Sequence, residues 1–402
     1  MPSSISSSES HGGTQPKADS SPLGTLGSGL LLLAVSIVLV RLVAAAAVSR
    51  EPLAFGPTHP RIQEVRERAP AIAARKESAV LAIGSSQLWN GFSPAVVDAA
   101  LASAGKPVTS YNLGFNGLGP STARLLLDRL ASAYAATGSR PALVVFEFTP
   151  FLATKKSRAT GWSDEPNMQL GTLGSFAAEA RHAPSRALGA AADHYLLGGF
   201  SPGRFQDFSS GEIYGTFSPC GSTRVTSRAA QAASDALCRD LLRVFPGGLP
   251  AWNEEARGFR ALVYPETAES YRALALAMRD PTLLRRDFEW RNKAVDLVNL
   301  DLDPGLFAEV IAAVKQARAL APSVFVFAPP INPAWVRRSE AGRANFLDAA
   351  AQIQREAGVP VTDLTEDPAF SPEDFIDSTH LNQLTGAQKL SAMIAEKLLP
   401  LL

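Results

Sequence analysis

A chain of 402 residues that is 46% hydrophobic can bury at least one large core. Its 38 basic and 38 acidic side chains cancel, and no Lys/Arg cluster stands out, which argues against a nucleic-acid surface. No CxxC pair or Cys/His cluster suggests a metal site.

Residues 1–22 are mostly Ser, Gly, Pro and other polar types, a composition that predicts a disordered tail. From Leu23 to Val48 the chain is apolar with one charge, Arg41, and the length suits a transmembrane anchor. The uninterrupted apolar stretch from Leu30 to Val40 also fits a signal-peptide core, with Ala45-Ala46-Ala47 as a cleavage site. The long, weakly basic lead-in favours the uncleaved anchor. Lys17 on one side, and Arg41 and Arg50 on the other, do not fix the orientation, so placing the rest of the chain outside the cytoplasm is a hypothesis. Residues 49–77 read as a linker carrying a polar helix over Ile62 to Lys76.

A strand–helix alternation fills residues 78–402. Strands are expected at Ala79–Ile83, Val108–Asn112, Ala142–Phe148, Val324–Ala328 and Val359–Leu364. Helices are expected at Pro94–Ala104, Ser121–Ala136, Pro304–Leu320, Glu340–Ala357 and Leu384–Leu399. This pattern predicts an α/β fold with a parallel sheet covered on both faces. Residues 151–302 break the pattern and read as a mainly helical insertion after strand three, with helices over Phe176–Ala191, Arg224–Val244 and Thr267–Met278. An insertion there would overhang the ligand-binding edge of the sheet. It holds both cysteines, Cys220 and Cys238, which in an exported chain are a candidate disulfide; two unrelated small hydrophobes fit equally well.

Ligands bind outside the C-terminal ends of strands in open α/β sheets. Three blocks fall at such ends: Gly84-Ser85-Ser86, Asn112-Leu113-Gly114 and Asp377-Ser378-Thr379-His380. A carboxylate three residues before an imidazole can hold the ring in one tautomer, ready to take a proton from a serine hydroxyl. His380 would then be the base, Asp377 its orienting partner, and the backbone N–H groups of Ser86 and Gly114 the oxyanion donors. Each block alone is common, the first as a turn or helix cap and the second as a strand-end turn. Their shared order and placement carry the reading. Asp374 is a rival to Asp377 but is wrongly spaced. Trp89 and Trp335 follow strands one and four, where they would stack on a sugar or pack beneath the insertion. Glu147 ends strand three as a substrate contact or a buried carboxylate. His59, His182 and His194 stand in polar or Pro-rich contexts that suit ordinary surface residues. Gly117-Leu118-Gly119-Pro120 is no phosphate loop, since no Lys-Ser/Thr follows it.

These blocks resemble those of the SGNH (GDSL-type) hydrolase superfamily, in which Gly-Asp-Ser supplies the nucleophile, Asn-x-Gly an oxyanion donor, and Asp-x-x-His completes the triad. Gly-Ser-Ser in place of Gly-Asp-Ser is similar to the membrane-anchored branch that contains the D-alanyl-lipoteichoic acid protein and the alginate O-acetylation proteins. The resemblance covers residues 78–150 and 320–402 and says nothing of the insertion. It implies a three-layer α/β/α sandwich with a five-stranded parallel flavodoxin-like sheet. It also implies a Ser86–His380–Asp377 triad, with Ser86 chosen over Ser85 by the family spacing, and no cofactor. One block departs. Where the family has Gly-x-Asn-Asp after strand three, this chain has Phe146-Glu147-Phe148-Thr149-Pro150, so an oxyanion donor is missing unless Asn116 substitutes.

The function expected is a membrane-anchored, extracytoplasmic serine O-acyltransferase or esterase, at the periplasmic or cell-surface side. It would act on acyl groups, for example acetyl, of a cell-envelope glycan or on a small acyl ester. A polytopic membrane O-acyltransferase is the partner that the resemblance implies. The competing expectation is a catalytically silent module for envelope polysaccharide binding or assembly. The distance from His380 to Ser85 and Ser86 separates the two.

Overall fold

The computed structural model describes residues 60–160 except 76, 115 and 116, residues 279–402, most of 29–43, and a few isolated positions between 161 and 278. Five strands, β1 (Ala79–Ile83), β2 (Thr109–Asn112), β3 (Leu143–Glu147), β4 (Ser323–Ala328) and β5 (Val361–Asp363), form one sheet in the order β2-β1-β3-β4-β5. Every pairing is parallel, with Leu81 opposite both Tyr111 and Val144, and Val145 opposite Phe325. This is the doubly wound order, in which β2 and β3 flank β1 on opposite sides. The chain therefore opens a crevice between the C-terminal ends of β1 and β3.

Among the described residues from 60 onward, the α-helices are α1 (Pro60–Ala73), α2 (Ser86–Gly91), α3 (Pro94–Ser103), α4 (Pro120–Thr137), α5 (Lys155–Ala159), α6 (Pro281–Ala294), α7 (Pro304–Leu320), α8 (Glu340–Ala357) and α9 (Gly386–Leu398). Strand side chains alternate between two cores, as a pleated sheet covered on both faces requires. Leu81, Ile83, Val144, Phe146 and Val326 face α1, α4, α7 and α8, where Ile72, Leu126, Val314 and Phe346 pack. Val80, Ala82, Val145 and Phe327 face the other way, against Leu88, Val97 and Leu101 of α2 and α3 and Leu390 and Ile394 of α9. The fold is a three-layer α/β/α sandwich.

Local sequence explains where these helices start and stop. Asp280, Asp303 and Ser339 cap α6, α7 and α8, each accepting backbone N–H groups of the first turn, and proline follows both aspartates. Gly138 and Gly358 end α4 and α8 at φ 66° and 69°, in the left-handed region that glycine enters most readily.

Three helices, α2, α5 and α6, were not expected from the sequence. The six-residue α2 begins at Ser86, the last residue of the first glycine–serine block. The five-residue α5 opens the stretch read as an insertion, and α6 lies towards its end. Leu283, Trp290 and Ala294 of α6 form a third cluster with Val295, Leu297, Ile331 and Val336, and Trp335 and Ile376 pack against it. Helix α6 thereby covers the loops that follow β4 and β5. Residues 161–278 of the insertion, apart from a few isolated positions, lie outside the described residues, with Cys220, Cys238, most of the helix expected over 176–191 and the helices expected over 224–244 and 267–278, as do residues 1–22, His59, His182 and His194. Within the expected anchor, residues 31–40 are helical with Leu31, Leu32, Leu33 and Val38 exposed. Among the described residues no helix is long and apolar enough to cross a membrane.

Candidate active site

The turn after β1 sets the geometry. Ser85 is the N-cap of α2, and its Oγ accepts the Gln87 N–H at 3.2 Å. The Ser85 hydroxyl also donates to Glu147 Oε1 at 2.6 Å, as does the Ser85 N–H at 3.1 Å and the Thr149 hydroxyl. Ser85 is thus locked inward, 4% exposed, and Ser86 is the hydroxyl that emerges. Glu147 is itself buried at the end of β3 beneath this turn, so it braces the turn that presents Ser86 and is closed to a substrate.

Burial pushes the Glu147 carboxyl above its ordinary value of 4.5, against hydrogen bonds from the Ser85 and Thr149 hydroxyls and the Ser85 and Leu88 backbone that favour the anion. The native state therefore binds more protons than the unfolded chain above 4.5, and this group's contribution to stability falls as pH rises through that window. Glu147→Gln removes the titration. The stability of the wild type relative to this variant is expected to decline as pH rises above about 4.5, measured by denaturant unfolding across the pH range. A constant difference would show that Glu147 does not titrate differently on folding.

The second half of the site follows β5. Asp377 Oδ1 accepts the backbone N–H groups of Thr379 and His380 at 2.8 and 2.7 Å, which closes a tight turn. Its Oδ2 lies 2.7 Å from His380 Nδ1, and His380 Nε2 lies 2.7 Å from Ser86 Oγ. Protons follow from the partners: Nδ1–H faces a carboxylate, which leaves Nε2 to accept the Ser86 hydroxyl proton. Three elements hold this turn. Gln87 Nε2 of α2 donates to Thr379 O at 2.9 Å. Asn332, after β4, donates its backbone N–H to Ser378 O at 3.1 Å and its Nδ2 to Asp377 O at 3.2 Å. Asp287 of α6 accepts both the N–H, at 2.9 Å, and the hydroxyl of Ser378. Asp374, the rival carboxylate, is committed elsewhere, to Ser371 and to Lys389 Nζ at 2.7 Å.

Arg291 joins α6 to the triad. Its Nε donates to Asp287 Oδ1 and Oδ2 at 2.9 and 3.1 Å, and its Nη2 to Asp377 Oδ2 at 2.9 Å. Burial alone would raise Asp377, but Arg291, His380 and the turn's backbone N–H groups outweigh it and hold the carboxyl well below its usual range. Burial dominates at Asp287 and raises its carboxyl despite Arg291. Arg291 stays cationic because two carboxylates outweigh its own burial.

No protein-family model matches this chain, and no curated protein matches it. What the site can do therefore rests on its own geometry.

The other expected residues fall out unevenly. Gly114 packs on α2, where a Cβ would lie 2.7 Å from Trp89 N, and its N–H donates to Asn112 Oδ1 at 3.0 Å. An oxyanion could only share that donor. Asn112 also holds the end of α2, its Nδ2 reaching Phe92 O at 2.8 Å and Leu88 O and Trp89 O at 3.2 Å. Asn116 lies outside the described residues. No protein acceptor meets the Ser86 N–H among the described residues, which leaves it open to a ligand. Trp89 is buried in α2, where it packs and cannot present a face to a sugar, and Trp335 is half-buried against the α6 cluster. The sequence reading missed Gln87, Asn332, Asp287 and Arg291. Only the last two left a signal, an i, i+4 acid–base pair downstream of the Asp280-Pro281 cap.

Proposed function

We propose that the chain is a serine acyl-transfer enzyme, an O-acyltransferase or esterase of SGNH type. The observation that carries this reading is the unbroken series Ser86 Oγ–His380 Nε2 at 2.7 Å and His380 Nδ1–Asp377 Oδ2 at 2.7 Å. Ser86 attacks the acyl carbonyl as His380 takes its proton, and Asp377 stabilises the imidazolium. The oxyanion forms against the Ser86 N–H. His380 then returns the proton to the departing alcohol, leaving Ser86 acylated. Water completes hydrolysis; a sugar hydroxyl, activated by the same imidazole, completes transfer. The strand order and the placement of the three blocks at β1, β2 and the loop after β5 also support the family resemblance.

The exposed leucines and valines of residues 31–40 favour a membrane anchor, and with it an acylated envelope glycan as substrate on the extracytoplasmic face. A polytopic membrane O-acyltransferase fits as the donor-supplying partner. The silent-module reading has one supporting observation, the prior commitment of the Gly114 N–H to Asn112. The bonded Ser86–His380 pair weighs against it.

A serine-directed fluorophosphonate is expected to label the full chain at Ser86, identified by peptide mass spectrometry. Absence of labelling, or equal labelling of a Ser86→Ala variant, would overturn the proposal.

A further inference from the structure

We propose that Arg291 and Asp287 are positioning residues that fix the catalytic turn and set how far into acid the site stays active. The inference rests on the acyl-transfer reading. One turn of α6 touches both ends of the problem. Arg291 Nη2 bonds the same Asp377 oxygen that orients His380, and Asp287 holds the next residue, Ser378, by two hydrogen bonds. The guanidinium cannot swing away, because its Nε is bonded to both oxygens of Asp287. Asp377 is therefore held by its own turn, by α6 and by Asn332, and its Oδ2 divides between an imidazole and a cation.

The charges alternate along this path: negative at Asp287, positive at Arg291, negative at Asp377, then a ring that becomes positive during attack. Arg291 Nη2 also lies 3.4 Å from His380 Nδ1. A cation there opposes the imidazolium, and Asp287 behind it relieves the opposition. The charged groups around His380 are Asp377 on its own turn and Arg291 and Asp287 from α6. Glu147, under α2, bonds Ser85 rather than Ser86, and Asp374 and Lys389 of α9 pair with each other.

The two α6 residues should therefore act in opposite directions. Without the Arg291 cation, the imidazolium is better stabilised, and the acid limb of activity moves to higher pH. Without the Asp287 anion, Arg291 opposes the imidazolium more strongly, and the limb moves to lower pH. A role confined to stability would depress activity without moving the limb.

The test is the rate of fluorophosphonate labelling against pH for the full chain in detergent, as wild type, Arg291→Met, Arg291→Lys and Asp287→Asn. The expected shifts are about one pH unit upward for Arg291→Met and about one unit downward for Asp287→Asn. Arg291→Lys keeps the charge but loses the fork, so its limb stays in place while its rate falls about tenfold. Should Arg291→Met fail to fold, the downward shift of Asp287→Asn and the fixed limb of Arg291→Lys decide alone. A limb that stays put in Asp287→Asn, or moves the same way in both neutralising variants, overturns the inference. A wild type that does not label at all overturns the acyl-transfer reading instead.

Discussion

An Asp377→Asn variant is expected to lose about 10⁴-fold in the rate of Ser86 acylation while remaining folded. The argument is a count of donors. Oδ1 accepts two backbone N–H groups, and Oδ2 accepts His380 Nδ1 and Arg291 Nη2. An amide nitrogen in either position faces donors on both sides. Facing the turn, it meets the N–H groups of Thr379 and His380. Facing the ring, it drives His380 into the tautomer whose Nδ1 accepts, and Nε2 then carries the proton and cannot take one from Ser86. The second arrangement breaks fewer bonds, so the variant should fold with the wrong tautomer, at a cost of about 1–3 kcal/mol for the donor left against Arg291. Ser86→Ala should lose at least as much activity with no such cost in stability. The measurement is single-turnover acylation by an activated ester at pH 7, alongside denaturant unfolding. Acylation within tenfold of wild type would mean that Asp377 does not orient the base.

The triad was legible because each of its parts is announced locally. β1 is a short apolar run, buried throughout, and the block that follows it breaks the run with Gly and Ser. Asp377 and His380 sit three residues apart on one turn and need only each other to be noticed. The supporting residues were hidden for a physical reason: their partners are distant in sequence. Glu147 finds Ser85 across 62 positions and Arg291 finds Asp377 across 86, so neither bond leaves a spacing to read. Glu147 could therefore be read equally as a substrate contact or as a buried brace until the fold placed Ser85 above it.

Helix α6 was missed for a related reason. Its sequence, PTLLRRDFEWRNKA, carries more charge than apolar surface, and its buried positions are only Leu283, Asp287, Trp290 and Ala294. One of those four is an acid, so the apolar stripe that marks a helix is broken at the position that matters for the site. The short α2 is below the length at which periodicity can speak, and tertiary bonds from Asn112 and Gln87 hold it. Trp89 looked like a strand-end residue because the helix that buries it could not be seen.

The same crowding that hid these contacts makes Gly84 the most sensitive position near the nucleophile. A Cβ at residue 84 would lie 2.6 Å from Glu147 Cβ, 2.7 Å from Leu88 Cβ and 2.9 Å from Glu147 Oε2. The first two atoms are fixed to the backbones of β3 and α2, so no rotamer change relieves them. Either the ends of β1 and β3 part, or α2 lifts. Both routes act on the site, since β3 carries the carboxylate that locks Ser85 and α2 begins with Ser86. Gly84→Ala is therefore expected to destabilise the domain by about 2–3 kcal/mol, seen as a fall in Tm of roughly 5–10 °C. Acylation should slow further, by about 10²-fold, because a displacement of about 1 Å at the nucleophile is felt directly in the rate. Ser86→Ala isolates the chemistry from the packing: it abolishes acylation at unchanged Tm, whereas Gly84→Ala lowers both. A Gly84→Ala variant with wild-type Tm and wild-type acylation would mean that the β1–α2 turn is looser than these distances allow, and that Glu147 does not set the position of Ser86.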